Sequence, residues 1–325
     1  MLSDVIAGID IGGTKIALAL ANLDGQPLPF RRFPTQVELG PQRILTHAAD
    51  ALAAMAADVG ARIVAIGVGC GGPLDRARGL ILSPPNLPGW DEFPIVRLLA
   101  DRFDVSVLLD NDANAAALGE FEYGAGRGLG DVVYLTLSTG IGGGVIVNGR
   151  LVHGVADGAG EVGHMVILPD GPACGCGARG CLEALCSGTS IARRARERLA
   201  TGAESSLRAS PSEVTAQTVA EAAREGDELA GAVWTETIQY LAHGLSNVVN
   251  MLAPEAIILG GGVATAGEQL FAPLRAAVRA RVRMIPAARV RILQAELGGD
   301  SGAYGALILA RNALAPNHTA ATQTD

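Results

Sequence analysis

Residues 5–20 read VIAGIDIGGTKIALAL: an apolar run, a turn built on Gly12 and Gly13, and a second apolar run, which is the pattern of a β-hairpin. A related pattern returns at 132–147, where VVYLTLS leads into TGIGGG and then VIV. Ile9-Asp10 and Leu137-Ser138 hold equivalent places ahead of their glycine turns. Two such units in one chain predict an internally duplicated α/β fold with one copy in each of two lobes.

Between the hairpins the spacing predicts a helix over 41–58, apolar at Ile44, Leu45, Ala48, Leu52 and Met55. A strand follows at 63–68, then a proline-rich loop at 83–94, a strand at 105–109 and a helix opening near Asp112. Farther on, 201–214 is polar and loop-like, and 228–252 is a long helix with apolar Leu241, Leu245, Val248 and Leu252, stopped by Pro254. A buried strand at 256–259 runs into Gly260-Gly261-Gly262, and a last helix spans 301–312. The expected division is a smaller N-terminal lobe over 1–112 completed by the helix at 301–312, a larger lobe over 113–300, and a polar, disordered tail over 313–325.

The chain has 325 residues, 49% of them hydrophobic, enough for a sizeable core in each of two lobes. Its 25 basic against 33 acidic residues give a net charge of −8, with no basic run longer than Arg193-Arg194. Such a chain exerts little long-range pull on nucleic acid or an anionic membrane. No basic segment precedes an apolar core at the N-terminus, and apolar stretches break before the ~18 residues a membrane span needs. The expectation is a cytoplasmic protein.

Three glycine turns, at 12–13, 140–144 and 260–262, exceed what hairpin closure requires. Without a Cβ, backbone N–H groups can approach phosphate oxygens closely. The run Gly8 to Lys15 is not a P-loop, because Thr14 precedes Lys15 and the glycines sit in a hairpin instead of opening a helix. Nor does the chain carry a GxGxxG dinucleotide turn with its helix and downstream acid. Asp10, at a strand end beside glycines, would repel phosphates unless a cation lay between, which predicts Mg²⁺ with a nucleotide. Lys15 reads equally as a solvated strand lysine or a phosphate contact.

In LLDNDANAAALGE (108–120), Asp112 stands at the start of an alanine-rich helix, where a short polar residue is expected as a cap. Asp110, Asn111, Asp112 and Asn114 together are more polar groups than one helix end needs. A carboxylate there could accept a hydroxyl proton during phosphoryl transfer, and Asp112 is the candidate base.

The most specific stretch is GAGEVGHMVILPDGPACGCGARGCLE (158–183), with Cys174-x-Cys176-x4-Cys181 and His164 ahead of them. Three thiolates and one imidazole make a closed tetrahedral Zn²⁺ site, which favours a structural over a hydrolytic role. Metal binding would order the loop and hold Glu161 and Glu183, two acceptors suited to sugar hydroxyls. Cys70 and Cys186 read as small buried hydrophobes, and His47, His153, His243 and His318 as ordinary residues.

With these residues assembled, the chain resembles the ROK family of sugar kinases and sugar-responsive repressors up to about residue 312. The resemblance rests on DIGGTK (10–15), LDNDANAAALGE (109–120), LSTGIGGG (137–144), EVGH (161–164), CGCGARGCLE (174–183) and LGGGV (259–263). It implies the actin-like/hexokinase-like ATPase fold, ribonuclease H-like, with two lobes around a central cleft. It implies Asp112 as catalytic base, zinc on His164, Cys174, Cys176 and Cys181, and a sugar site of Asn86, Asn111, Asp112, Glu161, His164 and Glu183. It further implies Asp10, Gly12, Gly13 and Thr14 as phosphate and metal contacts, Thr139 and Gly140 as contacts on the other lobe, and Gly261 and Gly262 near the nucleotide. From its residues alone Asn86, in SPPNLPGW, is equally a structural asparagine in a proline-rich turn.

The expected activity is an ATP-dependent hexokinase acting on O6 of glucose. Its competitor is a kinase of N-acetylmannosamine or N-acetylglucosamine, decided by room for an acetamido group at the 2-position. A sugar-sensing repressor is disfavoured, because the family's repressors carry a winged helix ahead of the DIGGTK hairpin and here the hairpin starts at about residue 5. A homo-oligomer, dimer or tetramer, completes the expectation.

Overall fold

In the computed structural model of the chain, residues 2–314 are described. The expected tail from Ala315, with His318, lies outside them. Contacts divide the chain into two compact units, one of residues up to Gly119 plus those from Asp300, the other Glu120–Gly299.

The first unit holds β1 (Ser3–Ile11), β2 (Lys15–Asn22), β3 (Pro27–Pro34), α1 (Pro41–Asp58), β4 (Ala61–Cys70), β5 (Leu74–Asp75), β6 (Leu80–Ile81), α2 (Ile95–Phe103), β7 (Ser106–Asn111) and the opening of α3 (Asp112–Tyr123). Its main sheet runs β3-β2-β1-β4-β7, antiparallel across β3, β2 and β1 and parallel across β1, β4 and β7. Alternation along the strands sorts the two faces. Val5, Ile9, Ile11, Ile16, Leu18 and Leu20 join Leu45, Leu52 and Met55 of α1 in the main core. The opposite face carries Gly8, Ala17, Ala19, Ala65 and Gly67, small enough for a helix to lie close upon it. The chain's last described helix fills that place, with Ala303, Leu307 and Ala310 buried there.

The second unit comprises β8 (Val132–Leu137), β9 (Ile141–Val147), β10 (Arg150–Leu151), α4 (Leu182–Cys186), α5 (Gly188–Ala200), α6 (Ala216–Arg224), α7 (Glu228–Leu252), β11 (Ala256–Gly260), α8 (Glu268–Arg281) and β12 (Arg291–Gln294). Its sheet runs β10-β9-β8-β11-β12, again two antiparallel pairings followed by two parallel ones. The glycine-linked hairpins β1–β2 and β8–β9 occupy the same place in the two sheets, as a duplicated fold requires. Asp227 caps α7, accepting from the Ala230 N–H at 2.9 Å, and Ala253 ends it in a left-handed conformation ahead of Pro254. The expected loop at 201–214 is short 3₁₀ turns and connecting chain.

The final helix, α9 (Ser301–Leu314), packs in the first unit. The division falls after Gly119, inside α3, and not at residue 112. Gly119 lies against the Ser301 backbone and Gly305 against that of Ala115, so the first turns of α3 are bound to α9. No helix among the described residues is long and apolar enough to cross a membrane.

Candidate active site

In the first unit the hairpin turn is closed by the Gly12 N–H donating to Lys15 O at 3.0 Å. It is pinned from β3's end by Thr35, whose hydroxyl donates to Gly12 O at 2.6 Å and whose N–H donates to Thr14 O. Gly13 lies directly on Asn86: a Cβ there would stand 2.6 Å from Asn86 O. Asn86 is exposed in a loop anchored by buried Leu87 and Trp90, so the asparagine of the proline-rich turn and the glycine turn form one surface.

Asp10, next to the last residue of β1, lies against Gly302, where any added Cβ would meet its carboxylate. Burial, then the nearby charges of Asp112 and Asp300, raises its pKa to about 7, with Lys15 opposing. Lys15 therefore acts electrostatically on Asp10. Asp300 pairs with Arg32 through one oxygen, while Oδ1 is buried without a hydrogen-bond partner. Two of these three carboxylates, Asp10 and Asp112, have raised pKa values, and a divalent cation bound beside them would relieve the repulsion. Asp300 was not singled out from sequence; its only local signal is the Gly298-Gly299-Asp300 stretch before a helix.

The polar loop at 110–114 separates into two jobs. Asp110 is fully buried and accepts from the Asn114 side chain at 2.9 Å and the Asn111 N–H at 2.8 Å, with Arg76 3.4 Å away. Asp110 and Asn114 thus bond to each other and hold the loop. Asn111 Oδ1 and Asp112 Oδ1 both accept from the Ala113 N–H, leaving the Asn111 amide and Asp112 Oδ2 to other partners. Surrounding protein pushes the Asp112 pKa up, opposed by the Ala113 N–H, yet the residue is still reached by solvent. A carboxylate of raised pKa that a ligand can touch is suited to accept a proton.

In the second unit Thr139 and Gly140 form the β8–β9 turn. Glu183 Oε2 accepts the Ile141 N–H at 2.8 Å and lies where a Gly140 side chain would be. At the end of β11, Gly261 has φ +82° and packs on the Leu137 backbone, a position closed to any side chain. Beside Gly262 a cavity of about 170 Å³ is lined by Gln217, Trp234, Val263 and Thr265 among others.

The four sequence-chosen ligands meet as expected: one ligand atom from each of His164, Cys174, Cys176 and Cys181 lies within 4.8 Å of the others, the single such group among the described residues. Cys174 Sγ is 3.7 Å from His164 Nδ1, and Cys176 Sγ is 3.7 Å from Cys181 Sγ. A tetrahedron with bonds of about 2.3 Å has edges of about 3.7 Å, so the spacing fits Zn²⁺. Burial pushes the Cys181 thiol up to about 12, helped by Cys174 and Cys176; a dication is what would let all three thiols ionise together. His164 Nε2 faces Glu161 Oε2 at 3.7 Å, and Cys174 Sγ faces Glu183 Oε1 at 3.9 Å. Cys70 and Cys186 are buried, as expected.

The chain is 38% identical over 305 residues to a glucokinase of Thermotoga maritima, covering 93% of this chain and 95% of that one. It is 36% identical over 304 residues to an N-acetylmannosamine kinase of Shigella boydii, covering 93% and 97%. The crystal structure of a ROK family glucokinase from Streptomyces griseus, in complex with glucose and AMPPNP, superposes with a TM-score of 0.76 at 35% identity, covering 95% and 99%. The ROK family model matches residues 6–313, and with the actin-like, hexokinase-like fold in both sheets the chain belongs to the ROK family.

Proposed function

We propose that this protein transfers the terminal phosphoryl group of ATP to a hydroxyl of a hexose, with O6 of glucose as the acceptor. The observation that carries the reading is Asp112: a solvent-reached carboxylate of raised pKa at the end of a strand, held by its own helix N-terminus and close enough to Asp10 to shift that group's pKa. Its role is to take the proton of the attacking hydroxyl as the oxygen bonds to phosphorus and the bond to the ADP oxygen breaks. Asn86, Asn111, Glu161, His164 and Glu183 supply hydrogen bonds to the remaining hydroxyls, and the Glu and Asp carboxylates are strong acceptors for them.

The phosphates are received at the glycine turns, by the backbone N–H groups of Gly13 and Thr14, with Gly12 closing that turn on Lys15 O, and by those of Thr139 and Gly140. The cavity beside Gly261 and Gly262 is the candidate for the nucleoside end. Asp10, with Lys15 nearby, would hold Mg²⁺, which when bound would neutralise charge on the donor. Zn²⁺ on His164, Cys174, Cys176 and Cys181 would be structural: protein would take all four positions, and the ion would fix the loop carrying Glu161 and Glu183.

The N-acetylmannosamine kinase relative supports a second reading, an acceptor bearing an acetamido group at the 2-position. A coupled ADP-release assay across glucose, mannose, N-acetylmannosamine and N-acetylglucosamine tests both. Turnover fastest on glucose is the expected result; preference for an N-acetyl sugar selects the alternative, and turnover on none removes the kinase reading.

A further inference from the structure

The β8–β9 turn is held from outside at three points by one short segment. Ser138 O accepts the Gly188 N–H at 2.7 Å. Thr139 O accepts the Thr189 hydroxyl at 2.7 Å. Glu183 Oε2 accepts the Ile141 N–H at 2.8 Å. Within the turn, the Ser138 N–H donates to Gly140 O at 2.9 Å. With both carbonyl oxygens and the flanking N–H occupied, the amides of Thr139 and Gly140 are left to other acceptors.

The holding segment is itself braced. Glu183 O accepts both the Ser187 N–H at 3.0 Å and the Ser190 hydroxyl at 2.8 Å, and the Ser187 hydroxyl receives the Ser190 N–H at 3.2 Å. Ser187 and Ser190 are buried, whereas Thr189 is exposed. Thr189 contributes nothing to the core, and its one hydrogen bond to the chain outside its own helix start goes to the turn.

Resting on the kinase reading above, we infer that Thr189 is a positioning residue for phosphoryl transfer. Its hydroxyl fixes the Thr139 peptide plane so that the next N–H, that of Gly140, points at the donor phosphate. Glu183 shares the task, so the carboxylate proposed to bind sugar also anchors the phosphate turn. A threonine at an exposed helix start is otherwise an ordinary helix-favouring choice; the distinction lies in which function its loss disturbs.

The test is Thr189→Val, which keeps the shape and removes the donor, with Thr189→Ser as the restoring variant. Expected for the valine variant are a KM for ATP raised about two- to tenfold, the worth of one hydrogen bond, an unchanged KM for sugar, and faster amide exchange across 138–142. The serine variant returns all three towards wild type. AMPPNP affinity and exchange in the valine variant equal to wild type would overturn the assignment. If the wild-type protein phosphorylates no sugar while the valine variant still loosens the turn and weakens AMPPNP binding, the kinase reading falls and the positioning role stands.

Discussion

Replacing Gly13 with alanine probes the contact that joins the first glycine turn to Asn86. The new Cβ would stand 2.6 Å from Asn86 O and 2.8 Å from Asn86 Cβ, where apolar contact begins at about 3.5 Å. One side must therefore withdraw by roughly 0.7–0.9 Å. Asn86 cannot move inward, because Leu87 and Trp90 behind it are 2% and 0% exposed. The glycine turn cannot easily move away, because Thr35 bonds it twice. Overpacking of this kind costs about 1–3 kcal/mol, and the displaced Asn86 loses a hydrogen bond to sugar, about two- to tenfold in Kd. Calorimetric titration with glucose in the absence of nucleotide is the assay. Gly13→Ala should bind sugar more weakly and melt a few degrees lower, even though Gly13 is proposed to touch only phosphate. Unchanged glucose affinity in a folded variant would refute the coupling of turn to loop.

Asp112→Asn should leave glucose affinity nearly intact and lower kcat by about 10²–10⁴-fold; a kcat within tenfold of wild type removes Asp112 from the role of base. Cys176→Ser should lower bound zinc, measured by elemental analysis, and weaken glucose binding with it, because Glu183 and His164 are held by that loop; a zinc-free variant with full sugar affinity would break the link. Asp10 titrates near 7 in the folded chain, above the ordinary carboxyl range, so the folded state holds a proton that the unfolded state has released. Metal-free protein should therefore lose stability as pH rises from about 4 to 7. Mg²⁺ competes with that proton, so the melting-temperature rise on adding Mg²⁺ should be small at pH 6 and larger at pH 8, and a shift independent of pH would count against Asp10 facing the metal.

What could be read from sequence was what short-range chemistry determines. The bounds of α1 agree because Pro41 sits at its first position after Gly40, and those of α7 because Asp227 caps it and Pro254 follows its end. The cluster of His164, Cys174, Cys176 and Cys181 was legible because a metal site needs its donors within a few ångström and the intervening glycines supply the turns. Other features depend on distant chain. β3 begins and ends in proline and is largely exposed, so it has neither the burial nor the alternation of a core strand. The end of the first unit at Gly119 is set by contacts with α9, far along the chain. Sequence put Asp112 forward as the candidate base, but the structural job of Asp110 shows only in its contacts with Asn114 and Arg76. Thr189 carries no signal until its hydroxyl is seen on Thr139.

The two hairpins also show how a duplicated fold can carry two chemically unlike turns. In each sheet the strand before the glycine turn ends beside the strand that pairs with it in parallel, so both turns present backbone N–H groups at the same edge of their sheet. The first copy places Asp10 ahead of its turn, with Asp112 and Asp300 adding charge around it. The second has Ser138 and Thr139 at the corresponding place, and its nearest carboxylate, Glu183, already accepts the Ile141 N–H. Phosphate can meet the second turn directly, through N–H groups, without repulsion from an unpaired acid. At the first turn a phosphate would meet carboxylates, and a bound cation would reconcile them. On the proposed kinase reading one backbone pattern would thus yield a metal-dependent turn and a metal-independent turn, and that division predicts which variants respond to Mg²⁺. Changes at Asp10 should alter the Mg²⁺ dependence of nucleotide binding, whereas Thr189→Val should weaken nucleotide binding by the same factor at every Mg²⁺ concentration.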